Sequence, residues 1–256
     1  MIYSVNKKNY LILLFTVFIL LNNIGLCWAN SENLTSSEAV NQVVLLELFV
    51  QTDCTTCPHV EFCLEDLAWE YGTEKIILLE EHLWHDGYDT EETNARYDWY
   101  VTEGRKGTPD LFVNGLTKRV QGLLCEDLEE NYHCCKEIVD AELNKCATLK
   151  LSALKTITDS YIIIQGKVNN ISNNVLKDLA ICGMIYQEED EAGLNYWVRD
   201  IFPFHDLPLQ FSPQESIDYG FVSELLISEE NEEIFHAVVF VQDLETKEVL
   251  QAIHVD

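Results

Sequence analysis

The alternation of apolar and polar residues changes character twice along the chain. Residues 10–21 are almost wholly apolar, Lys7 and Lys8 precede them, and Asn22-Asn23 stops the run short of a bilayer span. The small residues Cys27 and Ala29 follow, two apart. This order reads as a secretory signal peptide over 1–29, cut after Ala29; an uncleaved N-terminal anchor is the alternative. Residues 30–41 form a polar lead-in. Residues 43–50 are then apolar except for Glu47 and rich in Val and Leu, which suits a buried strand of a mixed or parallel sheet. Val60, Cys63, Leu64, Leu67 and Ala68, spaced by three and four, predict a helix from about Cys57 to Tyr71. Pro58 sits in its first turn and Gly72 closes it. A second strand over 75–80 and a polar helix over 90–103 follow. A short strand over 110–114 then turns through Asn114-Gly115 into another over 116–121, and a long helix covers 123–146. From about residue 148 strand-like runs dominate: 149–154, 161–168, 179–187, 196–201, 216–222, 234–242 and 247–253. The expected organisation is an α/β unit over 42–147, a mixed central sheet with flanking helices, and then an all-β sandwich over 148–256.

Composition narrows the function. The 256 residues carry 16 Lys and Arg against 44 Asp and Glu, a formal charge of −28. A surface that acidic argues against nucleic acid and against anionic membranes. A hydrophobic fraction of 47% excludes a disordered acidic chain. Removal of the leader would leave an even number of the 9 cysteines, in a compartment that permits disulfides. The sequons at Asn33 and Asn170 matter only where secreted proteins are glycosylated.

The chemistry centres on Asp53-Cys54-Thr55-Thr56-Cys57-Pro58-His59, a C-x-x-C between a strand and a helix. Cys54 would stand at the helix N-terminus, where backbone donors and the macrodipole stabilise a thiolate, the form that attacks a disulfide. Cys57, one turn on, is placed to resolve the mixed disulfide. Asp53 and the overall charge oppose a thiolate, and a protonated His59 would favour it. Downstream, Thr108-Pro109 enters a short strand and an Asn-Gly hairpin. Pro109 is therefore a candidate cis-proline, with an ordinary trans loop proline as the alternative.

Glu47-Leu48-Phe49, Cys54-x-x-Cys57-Pro58, Thr108-Pro109 and Asn114-Gly115 together resemble the thioredoxin superfamily. More narrowly, they resemble its secreted or periplasmic members with a C-x-x-C-P turn. The resemblance covers about residues 42–122, with the helix to Cys146 expected. The final hairpin around residues 240–252 is similar to that of an appended immunoglobulin-like β-sandwich. What this implies is an exported thiol–disulfide oxidoreductase acting on protein or peptide thiols and disulfides, with a redox partner and no cofactor, or a protein-binding derivative without redox turnover. Cys54 would attack, Cys57 would resolve, Pro109 would shape the substrate groove, and the backbone of Thr108 would pair with an extended substrate. The buried acid of the family would correspond to Glu47, as proton acceptor for Cys57, although its spacing to the cysteines is one residue longer. A strand residue satisfied locally is the competing reading of Glu47. Thr55-Thr56 replaces Gly-Pro, so no redox potential carries over.

Other groups have two readings each. Trp84, Tyr88, Tyr97, Trp99 and Tyr100 either line a peptide groove or pack an inserted helix; both are expected, with Trp84 and Tyr88 the exposed pair. His82, His85 and Asp86 with the cysteine pair suggest thioredoxin-like copper binding as an alternative function, but copper-delivering relatives use C-x-x-x-C. A polar rim beside the active face is the preferred reading, with no metal. Cys63, Cys125, Cys134, Cys135, Cys146 and Cys182 allow fifteen pairings and suit structural bridges tying the long helix to its neighbours, with Cys182 one candidate partner; a relay dithiol passing electrons to Cys54–Cys57 is the alternative. The acidic runs at 188–191 and 229–233 read as solvated loops.

Overall fold

The computed structural model describes residues 40–123, 128–158, 161–188, 195–202, 208–225 and 234–255. The leader and lead-in expected over 1–39, Cys27, Asn33, Cys125 and most of both acidic runs lie outside them. β1 (Val44–Val50) and β2 (Ile76–His82) run parallel, joined by α1 (Cys57–Tyr71), and every residue of both strands is buried. Parallel strands require cover on both faces, which is why both segments read as nearly unbroken apolar runs. On one face Val44, Leu46, Leu48, Val50, Ile76 and Leu78 pack with Val60, Leu64 and Leu67 of α1 and Val139 of α3 (Leu128–Leu143). On the other, Leu45, Ile77 and Leu79 meet Cys182 and Met184 of β7 (Leu176–Gln187) and Val238 and Phe240 of β11 (Phe235–Asp243). Each such side chain contributes about 1.5–3 kcal/mol of burial.

The structure is mixed α/β followed by β. β3 (Asp110–Val113) pairs antiparallel with β1 and then with β4 (Lys118–Gln121). On the far side of β2 come β8 (Trp197–Ile201), β7, β11 and β12 (Val249–Val255), giving the order β12-β11-β7-β8-β2-β1-β3-β4. The change of pattern at residue 147 is therefore not a break in the sheet. β2 and β8 pair across it at Glu80–Trp197, and residues 40–256 form one compact unit. A second sheet, β10 (Ser216–Ser223), β6 (Ile162–Asn170) and β5 (Leu149–Ile157), packs onto the outer face of β7 and β11. Ile162, Ile164, Val168 and Phe221 meet Ile181, Ile185, Val239 and Val241 there. β9 (Leu209–Phe211), on the edge of β7, was not anticipated; its three residues are too short to carry a period.

α2 (Glu91–Tyr100) opens with a capping box. Thr93 N–H donates to Thr90 Oγ1 at 3.1 Å, and Thr90 N–H to Thr93 Oγ1 at 3.0 Å. The β3–β4 turn is longer than the Asn-Gly signal suggested, because Asn114 has other work. Its Oδ1 accepts from Leu45 N–H at 2.9 Å, its Nδ2 donates to Glu142 at 3.1 Å, and its carbonyl accepts from Val249 N–H at 3.0 Å. Asn170, the second sequon, is fully buried. Its Nδ2 donates to the carbonyls of Asn174 at 2.8 Å and Ser212 at 3.0 Å, so this asparagine is a structural anchor rather than a surface acceptor.

Candidate functional site

β1 ends at Val50, and the chain leaves the sheet edge through a tight loop in which Cys54 N–H donates to Gln51 O at 3.0 Å. Cys54 and Cys57 are joined in a disulfide, with Cα atoms 5.4 Å apart. Thr56 caps α1 without a side-chain bond, and Cys57 N–H donates instead to Cys54 Sγ at 3.1 Å. One orphan donor of the helix N-terminus is thus spent on that sulfur. Cys54 is half-buried and reachable, whereas Cys57 is 1% exposed and packed with Val60 and Leu64. His59 is exposed in the first turn of the helix.

The register brings the proline loop to the same edge. Phe49 pairs with Asp110, so Pro109 follows at the level of Val50, and Thr108–Pro109 is a cis peptide. The loop is held from behind. Tyr97 donates to Asp110 at 2.8 Å and accepts from Gly107 N–H at 3.0 Å, and Gly122 N–H donates to Pro109 O at 2.8 Å. Neither the N–H nor the C=O of half-buried Thr108 has a hydrogen-bond partner among the described residues. Trp84, at 37% exposure, stands over Tyr97 with ring centroids 5.8 Å apart and so belongs to this side. Tyr88 does not join it: its ring packs 5.4 Å from His82 and 5.3 Å from Trp197, on the β2 side. Tyr97 and Tyr100 are buried beside Phe49 and Phe112, as core.

Glu47 requires correction. Strand residues alternate between faces, and those that meet Cys57 and α1 are Leu46, Leu48 and Val50. Glu47 points the other way, fully buried, paired with Arg96 and accepting from Tyr100 Oη at 2.7 Å. It therefore cannot serve Cys57. The acid on the cysteine face is Glu80, which pairs in register with Leu48 and is 4% exposed. Its Oε1 is buried without a hydrogen-bond partner. Burial pushes its carboxyl well above the ordinary range, and Glu61 and Glu65 of α1 add repulsion. Burial first, then Glu65, likewise raises Glu61 to about 7. The overlooked sequence signal was Glu80-Glu81-His82, a polar cluster closing an apolar strand.

His82 and Asp86 form a close pair at the end of β2, Nδ1 to Oδ2 at 2.6 Å. His85 is exposed and 3.5 Å from Asp89. Among the described residues no group of three or more His, Cys, Asp or Glu side chains is arranged to hold a metal ion. Cys134 and Cys146 are in disulfides, while Cys63, Cys135 and Cys182 carry thiols. Cys182 lies 2% exposed on β7, so the expected bridge to it is absent. Among the described residues no helix is long and apolar enough to cross a membrane.

No protein-family model and no curated protein matches the chain. Among solved structures, HBP35 of Porphyromonas gingivalis aligns with a TM-score of 0.65 at 12% identity, over 85% of this chain and 76% of its own. A domain of the outer membrane lipoprotein Omp28 from Porphyromonas gingivalis aligns with a TM-score of 0.32 at 21% identity. It covers 43% of this chain and 88% of that one. The first likeness concerns fold alone, mixed α/β followed by β; the second is too distant to add to it.

Proposed function

We propose that the protein is an exported thiol–disulfide oxidoreductase, built as a thioredoxin-like unit followed by an immunoglobulin-like sandwich. It would act on protein or peptide thiols and disulfides. The observation that carries this reading is the reachable Cys54 sulfur, bonded to Cys57 and accepting its N–H at 3.1 Å, at the same sheet edge as the open backbone of Thr108. In the oxidising direction a substrate thiolate attacks Cys54 Sγ. The S–S bond breaks, its electron pair leaves on Cys57 Sγ, and a mixed disulfide forms. The second substrate thiol then attacks its own sulfur in that bond and releases Cys54. Substrate loses two electrons and two protons, and the protein gains both. Cys57 leaves into a buried site, where a thiolate needs a proton close by. Glu80, on the same sheet face and with its carboxyl pushed well up by burial, would give it. Thr108 would pair with the substrate backbone, and Trp84 would flank it.

Titration in glutathione or dithiothreitol redox buffers tests this reading. The wild type should show a reversible two-electron couple that both Cys54→Ser and Cys57→Ser abolish. Cys57→Ser should trap mixed disulfides with a peptide dithiol. A pair that stays oxidised and inert across the whole buffer range would overturn the assignment.

A further inference from the structure

One buried carboxylate outside the dithiol touches the loop that carries it. Asp86 follows β2, and its side chain is 1% exposed. Its Oδ2 accepts Thr52 N–H at 3.1 Å, two residues before Cys54, and also meets His82 Nδ1 at 2.6 Å. Its Oδ1 accepts Tyr88 N–H at 3.0 Å. His82 is fixed in turn. Its backbone pairs with Val50, its carbonyl accepts from Thr93 Oγ1 at 2.8 Å, and its ring packs against both Tyr88 and Trp197, which also touch each other. Trp197 Nε1 donates to Tyr88 O at 2.9 Å and closes the far side. With Nδ1–H directed at Asp86, the other ring nitrogen, Nε2, is buried with no hydrogen-bond partner. Such an atom costs stability, so hydrogen bonding of the ring itself does not explain a histidine here. What the imidazole does provide is a rigid donor that fixes the rotamer of Asp86.

Thr52 stands inside the turn that Cys54 N–H closes on Gln51 O at 3.0 Å. That turn leaves the Thr52 N–H itself unused, and the Asp86 carboxylate accepts it, which ties the turn to the end of β2. Hydrogen bonds to a charged group are the stronger kind, and an orienting partner behind the acceptor sharpens them.

We propose that Asp86, oriented by His82, is a positioning residue that clamps Thr52 and thereby fixes how Cys54 meets an incoming thiol. The clamp flanks the dithiol on the β2 side, while the Thr108–Pro109 loop flanks it on the β3 side. This inference rests on the oxidoreductase reading for its kinetic consequence but not for its structural one.

The test compares Asp86→Ala, Asp86→Asn and His82→Leu with the wild type, in the full chain. The kinetic readout is the rate at which the disulfide form oxidises a peptide dithiol. Asp86→Ala should slow it about tenfold, the scale of one lost hydrogen bond to a charged group. Asp86→Asn keeps an acceptor oxygen for Thr52 and should recover most of that rate despite the lost charge. An asparagine variant as slow as the alanine variant, or an alanine variant as fast as the wild type, overturns the clamp. The second readout needs no activity. Hydrogen exchange at the Thr52 amide should be slow in the wild type and at least about fivefold faster in His82→Leu, because loosening Asp86 opens its bond. Unchanged Thr52 protection in His82→Leu overturns the orienting role, and a fast-exchanging Thr52 in the wild type overturns the clamp itself. If the wild-type disulfide oxidises no dithiol, the oxidoreductase reading fails, and amide exchange still decides the clamp.

Discussion

Glu61 offers a direct test of the buried acid cluster. It stands one turn after Cys57 on α1 and interacts with Glu80 across the helix–sheet contact. Its carboxyl rises from 4.5 to about 7, mainly through burial and secondly through Glu65. The folded protein thus holds this proton more tightly than the unfolded chain does. Its contribution to stability is complete below about 4.5 and is lost as pH climbs through about 7. At about 1.4 kcal/mol per tenfold, the full shift corresponds to about 3.4 kcal/mol. The side chain is only half-buried, so solvent screening brings the expected value to about 1–2 kcal/mol. Glu61→Gln preserves the shape and cannot ionise. It should stabilise the protein by that amount at pH 8 and leave it unchanged at pH 4. For a chain of this size the gain amounts to roughly 2–8 °C in thermal midpoint. Urea unfolding at both pH values, with m held constant, gives the difference directly. An equal effect at pH 4 and pH 8, or no gain at pH 8, would refute the assignment of a proton to this carboxyl.

Three further outcomes follow from the packing. Arg96→Ala leaves Glu47 buried without its ion pair and should cost about 3–5 kcal/mol in denaturant unfolding; a loss below about 1 kcal/mol would mean that water reaches the pair. In Gly115→Ala the new Cβ would lie 2.0 Å from Lys247 O at a backbone φ of +63°, so the thermal midpoint should fall by several degrees, and an unchanged midpoint would contradict the contact. In the reduced folded protein, iodoacetamide at pH 7.5 should modify Cys54 and spare Cys135 and Cys182. Burial first, and then Cys63, pushes the Cys135 thiol up to about 12, and burial raises Cys182 too. Peptide mass mapping reads the result, and equal labelling of all three would contradict it.

The elements were legible because their periods were strong. α1 lies where the spacing of Val60, Leu64 and Leu67 put it, and every strand from β5 to β8 overlaps its apolar run. The cysteine loop and the proline loop were legible for a different reason: both are local signals, a spacing and a dipeptide, and the β1–β3 register brings them to one edge. The facing of Glu47 was not legible. Alternation shows which residues share a face, but the phase comes from the contrast between an apolar side and a polar side. β1 has no such contrast, because β7 and β11 cover the face that α1 leaves open. That cover arrives from more than a hundred residues downstream, through pairings that no local pattern announces. The same long-range closure hid the continuity of the sheet across residue 147. There the link is Glu80 with Trp197 in the backbone, together with Gln242 accepting from Arg96 at 3.3 Å in the side chains.

The two faces of β1 and β2 differ in charge in a way that bears on the proposed exchange. Glu47 and Glu81 share the face that holds Arg96, so one cation serves two carboxylates. Burial first, and then repulsion from Glu47, pushes the Glu81 carboxyl well up, while Arg96 pulls it down and lies closer to Glu47. Glu80 lies on the other face, the one α1 covers, and its charged neighbours there are the acids Glu61 and Glu65. A cation there would hold Glu80 ionised and leave it no proton to give. Without one, burial favours the protonated carboxyl, the form that the proposed proton transfer to Cys57 requires. Moving an arginine onto that face, rather than removing the acid, is therefore the harsher test: it would keep the carboxyl in place and still remove its proton. If the exchange rate survived such a change, proton delivery to Cys57 would have to come from solvent through the Cys54 opening.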